Sequence, residues 1–106
     1  MTVQVRFRGI ETSRALAAHV TQKLQQHLSR FGRQVREVVV RLSDINGPRG
    51  GRDKHCQIEA KGRGIGLLHL SETHDDLYTG VDIAVARLGH AIGRNIERAR
   101  DHKGSD

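Results

Sequence analysis

At 106 residues, with 36% hydrophobic side chains, one Tyr, two Phe and no Trp, the chain has the size of one domain whose core is small and aliphatic, burying roughly 60 to 70% of its unfolded surface. Eighteen Lys and Arg against twelve Asp and Glu leave a net charge of +6, which favours a polyanionic partner such as nucleic acid or an acidic membrane. No apolar run approaches the 18 or so residues of a bilayer span, and the N-terminal MTVQVRFR lacks a secretory hydrophobic region, so a cytoplasmic protein without a membrane partner is expected.

Val3, Val5 and Phe7 alternate with Gln4, Arg6 and Arg8, the period of a strand with one buried and one wet face. Thr12 or Ser13 then offers a helix cap, and Leu16, Val20, Leu24, Leu28 and Phe31 recur every three or four residues until Gly32, which predicts a first helix. Val38, Val40 and Leu42, then Cys56, Ile58 and Ala60, alternate with polar or outward residues on either side of N-G-P-R-G-G-R at 46–52, the pattern of a hairpin. A tighter turn at 62–64 leads into a further strand, with Leu68 and Leu70 inward, His69 outward and Leu67 left exposed. Thr73 to Asp75 precede a second helix whose apolar stripe is Leu77, Val81, Ala84, Val85, Leu88, Ile92 and Ile96, running to about Arg100. One domain over 1–103 is expected, with a disordered tail at 104–106. The order β-α-β-β-β-α predicts an α+β fold, a four-stranded sheet with two helices on one face, resembling a double-stranded RNA-binding domain with a strand added in front. That analogy concerns architecture alone.

No nucleophile, base and orienting residue assemble around Ser13, Ser29, Ser43 or Ser71, so no catalysis is expected. Seven histidines invite a metal, but no Cys-x-x-Cys or His-Glu-x-x-His is present, and no metal or other cofactor is expected. The lone Cys56 alternates with Ile58 and Ala60 and reads as a buried small hydrophobe. The loop at 46–52 fails as a phosphate-binding loop because no Lys-Ser/Thr pair and helix follow it. It is a turn whose Arg49 and Arg52, with Lys54, make at most an auxiliary RNA contact.

At 100° per residue, Arg87, His90, Arg94 and Arg98 fall on one polar stripe of the second helix. Compensation of the helix dipole explains cations near its end, whereas a row of cations can also follow a phosphate backbone. The pattern alone does not separate a solvated face from an RNA contact. Beside the row, Gly89 and Gly93 weaken the helix, which close packing on the first helix explains more simply than a smooth groove for a partner. On the first helix His19, Lys23, Gln26 and Arg30 share a polar face, followed by Arg33 and Arg36. Two helices side by side on the sheet would merge these faces into one basic surface.

The segments A-L-A-A-H-V-T-Q-K-L, V-V-V-R-L, D-K-H-C-Q-I-E-A and D-L-Y-T-G-V-D, in that order and spacing, resemble the ribosome hibernation-promoting factor and ribosome-associated inhibitor family, also called sigma-54 modulation protein or ribosomal subunit interface protein. The resemblance covers nearly the whole chain and implies a domain that binds the small ribosomal subunit between head and body. There it contacts 16S rRNA where mRNA and tRNAs sit, and it keeps ribosomes idle under stress or in stationary phase. It places the family's cationic positions on Arg87, Arg94, Arg98 and Arg100, with His90 and Lys23 at two further ones. Together with the pattern-derived Arg30, Arg33 and Lys54, these nine residues form the expected rRNA-binding set. Gly89, Gly93 and Glu97 depart from the family's more lysine-rich helix, and the chain is expected to be a short form. The alternative is a protein-interaction module that regulates transcription, or a homodimer, using the Gly89/Gly93 face or an edge strand. An isolated monomer whose partners are the small subunit and the 70S ribosome is the primary expectation.

Overall fold

Seven elements follow one another in a computed structural model that describes residues 1–44 and 54–104, with side chains through residue 100. They are β1 (Thr2–Arg8), α1 (Arg14–Leu28), 3-10 turns over Ser29–Gln34, β2 (Val35–Asp44), β3 (Lys54–Gly62), β4 (Gly66–His74) and α2 (Leu77–Gly104). The loop at 46–52, residues 105–106 and the side chain of Lys103 lie outside the described residues.

The sheet has the order β1-β2-β3-β4. β1 pairs with β2 in parallel, Val3 beside Val38 and Phe7 beside Leu42. A parallel pair needs a crossover, and α1 supplies it. β2 and β3 pair antiparallel, with Val40 opposite Ile58 and Leu42 opposite Cys56, so the hairpin expected around the 46–52 loop forms. β3 and β4 continue the ladder, with Ile58 opposite Leu70 and Ala60 opposite Leu68.

Alternation puts one set of side chains under the helices. Val38, Val40, Leu42, Cys56, Ile58 and Ala60 are buried against the stripes Leu16, Val20, Leu24 and Leu28 of α1 and Val81, Ala84, Val85, Leu88, Ile92 and Ile96 of α2. Each fully buried Leu, Ile or Val contributes roughly 1.5 to 3 kcal/mol, so these stripes dominate the driving force. Leu68 and Leu70 pack against this core from an edge strand, while Leu67 is 66% exposed on the opposite face.

Three boundaries differ from the periodicity. The first helix is α-helical only to Leu28 and continues as 3-10 turns broken at Gly32, where φ is 58° and ψ −127°. Phe31 keeps its place against the core, so the apolar spacing persists after the geometry has changed. Of the two cap candidates, Ser13 accepts the Leu16 N–H at 3.1 Å. The second helix begins later than Thr73–Asp75, because Thr73 and His74 are paired with His55 and Lys54 in the sheet. Asp76 caps it instead, accepting from the Thr79 N–H at 3.1 Å and the Thr79 hydroxyl at 2.7 Å. The helix also runs past Arg100, to Gly104.

One glycine is demanded by the fold at the end of the β2–β3 ladder. A Cβ on Gly62 would lie 1.8 Å from the Gln34 carbonyl oxygen, the same oxygen that accepts the Arg63 N–H at 2.8 Å. The 3-10 turns are thereby clamped to the sheet.

Candidate nucleic-acid interface

The two helices lie side by side and run in the same sense. His19 Nε2 meets Asp82 Oδ1 at 2.6 Å, Lys23 Nζ lies 3.9 Å from the same oxygen, and Arg30 donates to the Gly89 carbonyl at 3.3 Å. The Tyr78 and His19 rings meet edge to face, with centroids 4.9 Å apart. Positions thus advance together along both helices, and their polar faces meet along one seam.

Gly89 and Gly93 of α2 differ in their surroundings. Gly89 is buried at the helix seam, where a Cβ would lie in ordinary contact with the His27 carbonyl oxygen at 3.5 Å and with its Cβ at 3.7 Å. At Gly93 a Cβ would meet only the tips of Arg30 and Phe31, at 3.8 and 3.9 Å. Those are ordinary contacts, and the mid-helix glycine still costs about 1 kcal/mol relative to Ala.

Arg87, His90, Arg94 and Arg98 are all exposed, on the stripe that the periodicity marks. They are not equivalent. Arg87 is turned onto β4, where it donates to the Ser71 carbonyl at 2.9 Å and pairs with the Glu72 carboxylate. His90 and Arg94 form a ridge between two grooves. One groove faces the 3-10 turns and is lined by Arg30, Phe31, Gly93, Glu97 and Arg100; the other faces β4 and is lined by Leu68, Leu70 and Arg87. Among the described residues, no carboxylate lies within ion-pairing distance of Arg33, Arg94, Arg98 or Arg100.

Of the nine expected residues, then, Arg30, His90, Arg94 and Arg100 line one groove. Arg98 and Arg33 are exposed near it on the same elements. Lys23 lies nearer the start of the seam and shares Asp82 with His19. Lys54 stands apart. It pairs with Asp44 at 2.8 Å and sits opposite His74, at the end of the sheet where α2 begins, whereas the groove lies beside the C-terminal half of α2.

Two features were not visible in the sequence. Phe31, in the apolar stripe, also supports the Arg30 guanidinium, whose carbon is 4.6 Å from the ring centroid. Arg87 finds Glu72 only because α2 crosses β4, a tertiary relation with no local signal. Elsewhere, burial and then the nearby Glu72 carboxylate push the Cys56 thiol up to about 12, so it is no thiolate near neutral pH. What the surface offers chemically is a set of guanidinium donors without a carboxylate partner among the described residues, suited to phosphate oxygens.

Among the described residues no helix is long and apolar enough to cross a membrane. Among curated proteins, the chain is 25% identical over 97 residues to the chloroplastic ribosome-binding factor PSRP1 of Spinacia oleracea, covering 90% of this chain and 32% of that protein. It therefore spans about a third of that relative's length. The N-terminal domain of Thermus thermophilus Protein Y superposes with a TM-score of 0.74 at 26% identity, over 89% of this chain and 98% of that one. A ribosomal subunit interface protein from Coxiella burnetii gives 0.72 at 19% identity, over 89% and 96%, a likeness of fold. The model of the family described as Sigma 54 modulation protein / S30EA ribosomal protein matches residues 3–100, and the chain belongs to that family.

Proposed function

We propose that this domain is a non-catalytic translation inhibitor that binds the small ribosomal subunit, alone and within 70S ribosomes. It docks the α1–α2 seam on 16S rRNA in the channel for mRNA and tRNA, and it keeps ribosomes inactive under stress or in stationary phase. The observation that carries this reading is the side-by-side packing of the helices, which gathers Arg30, His90, Arg94 and Arg100 into one groove with Arg98 and Arg33 nearby. The family match over residues 3–100 and the ribosome-binding relative support the choice of polyanion.

The mechanism is occupancy. Guanidinium groups replace the counterions of rRNA phosphates, and the released ions make association favourable and strongly salt-dependent. A domain lodged there excludes mRNA and tRNA by volume, with no bond made or broken. The alternative of a groove built on both Gly89 and Gly93 loses one of its halves, since Gly89 is buried under His27.

Co-sedimentation with 30S subunits and 70S ribosomes over rising salt tests the proposal. The wild-type chain is expected to pellet with ribosomes at low salt and to be released as salt rises, and to inhibit translation in a reconstituted system. The triple substitution Arg94→Glu, Arg98→Glu, Arg100→Glu should stay folded and remain in the supernatant. Absence of wild-type binding at low salt, or undiminished binding by the triple variant, overturns the reading.

A further inference from the structure

We infer that the groove between the 3-10 turns and the C-terminal half of α2 is a binding site for one unpaired nucleotide of an RNA strand. Its base stacks on the outer face of the Arg30 guanidinium, and its phosphate lies between Arg94 and Arg100. This rests on the ribosomal reading above and specifies which part of the surface recognises an RNA feature rather than charge alone.

Shape comes first. The groove measures about 480 Å³, within the range of small-ligand sites. Its floor at Gly93 lies against Arg30 and Phe31, and the fold would accept a methyl there, since a Cβ would make only ordinary contacts with both. Helix stability favours Ala at such a position, and the neighbouring atoms leave room for its methyl. A local rule broken without a packing reason points to a ligand that approaches the helix closely.

Charge and rigidity give the ligand's class. Three guanidinium groups, Arg30, Arg94 and Arg100, face one carboxylate, Glu97, so the occupant is anionic. Arg30 is held in place by its hydrogen bond to the Gly89 carbonyl and by the Phe31 ring beneath it, and it remains exposed. A guanidinium already stacked on one face presents the other to a flat group, and unpaired bases are recognised on such planes. Arg94 and Arg100 have no carboxylate partner among the described residues and are free to close on a phosphate.

Fluorescence anisotropy of labelled octauridylate in low salt tests this, with thermal melting of every variant. Gly93→Gln, which fills the floor with a good helix former, is expected to melt at or above wild type and to bind the oligonucleotide roughly tenfold more weakly or worse. Arg30→Lys keeps the charge but loses the plane, and it should also weaken binding several-fold. Arg98→Gln, outside the groove, should lose only one phosphate's share and show a smaller effect. Uridine monophosphate should compete weakly; tight displacement by it would reassign the groove to a free nucleotide and overturn the strand proposal. Wild-type affinity in folded Gly93→Gln and in Arg30→Lys overturns the site, as does failure of the wild-type chain to bind octauridylate. Should Gly93→Gln not fold, Arg30→Lys against Arg98→Gln decides. Sedimentation keeps the two ideas apart: if octauridylate binding is insensitive to these variants while the wild type still pellets with ribosomes, only the nucleotide site falls.

Discussion

Asp76 shows how one carboxylate can set an element boundary. It accepts two hydrogen bonds from Thr79, and those bonds, the side-chain one foremost, hold its carboxyl below the usual carboxylate range. Because the folded state prefers the anion, the stabilisation is fully present above the unfolded value of about 3.9 and is lost as pH falls through the lower folded one. Asp76→Ala should therefore lower the thermal midpoint at neutral pH, and its difference from wild type should shrink as pH drops below about 4. A difference that stays constant down to acid pH would show that the cap acts without its charge. Asp82 plays a different part, because its contacts with His19 and Lys23 join the helices. Lys23 therefore reaches a phosphate only in competition with a carboxylate.

At the scale of elements, α2 is fastened to the sheet as well as packed on it. Arg87 donates to the Ser71 carbonyl and pairs with Glu72, both on β4. Its side chain is 53% exposed, so water screens the pair, and a double-mutant cycle on Arg87→Ala and Glu72→Ala should give a coupling of no more than about 1 kcal/mol. RNA affinity should fall less for Arg87→Ala than for Arg98→Ala, because Arg87 must leave Glu72 before it meets a phosphate. Equal losses in a filter-binding titration would show that the tether opens without cost. The order of elements and the core faces were legible in the sequence because periods of two and of three to four are written residue by residue, from Val3 to Ile96. The end of the first helix was not, since Phe31 continues the apolar spacing whether the backbone is α or 3-10. The cationic stripe of α2 was equally legible. The groove was not, because it depends on Arg30 reaching Gly89 across a helix seam, and the placement of Lys54 depends on sheet register.

Over the whole molecule, cations are distributed in two ways. On the sheet face away from the helices two cations are matched, Arg41 with Glu59 at 2.9 Å and Lys61 with Glu37 at 3.1 Å, on strands that are neighbours in the ladder, while Arg6 of β1 shares that face and donates to the Gln4 amide oxygen at 2.8 Å. The hydrogen bond from Arg41 is the main reason that the Glu59 carboxyl stays below its ordinary range. Along the helix seam the cations are mostly unmatched, although net charge alone would not distinguish the two faces. A phosphate approaching Arg41 or Lys61 must compete with a carboxylate already in place, while among the described residues no carboxylate pairs with Arg94, Arg98 or Arg100, so a phosphate there displaces water and counterions. The salt dependence of ribosome association should report this asymmetry. Each lost phosphate contact flattens the slope of log K against log salt by about 0.7 to 0.9. Replacing Arg94, Arg98 and Arg100 together by Gln should therefore reduce the slope by about 2 to 3, with the fold retained. Arg41→Gln with Lys61→Gln, which removes nearly as much charge from the other face, should leave the slope almost unchanged. Similar slopes for the two variants would mean that the domain is held by its overall charge, and the helix seam would lose its claim to be the interface.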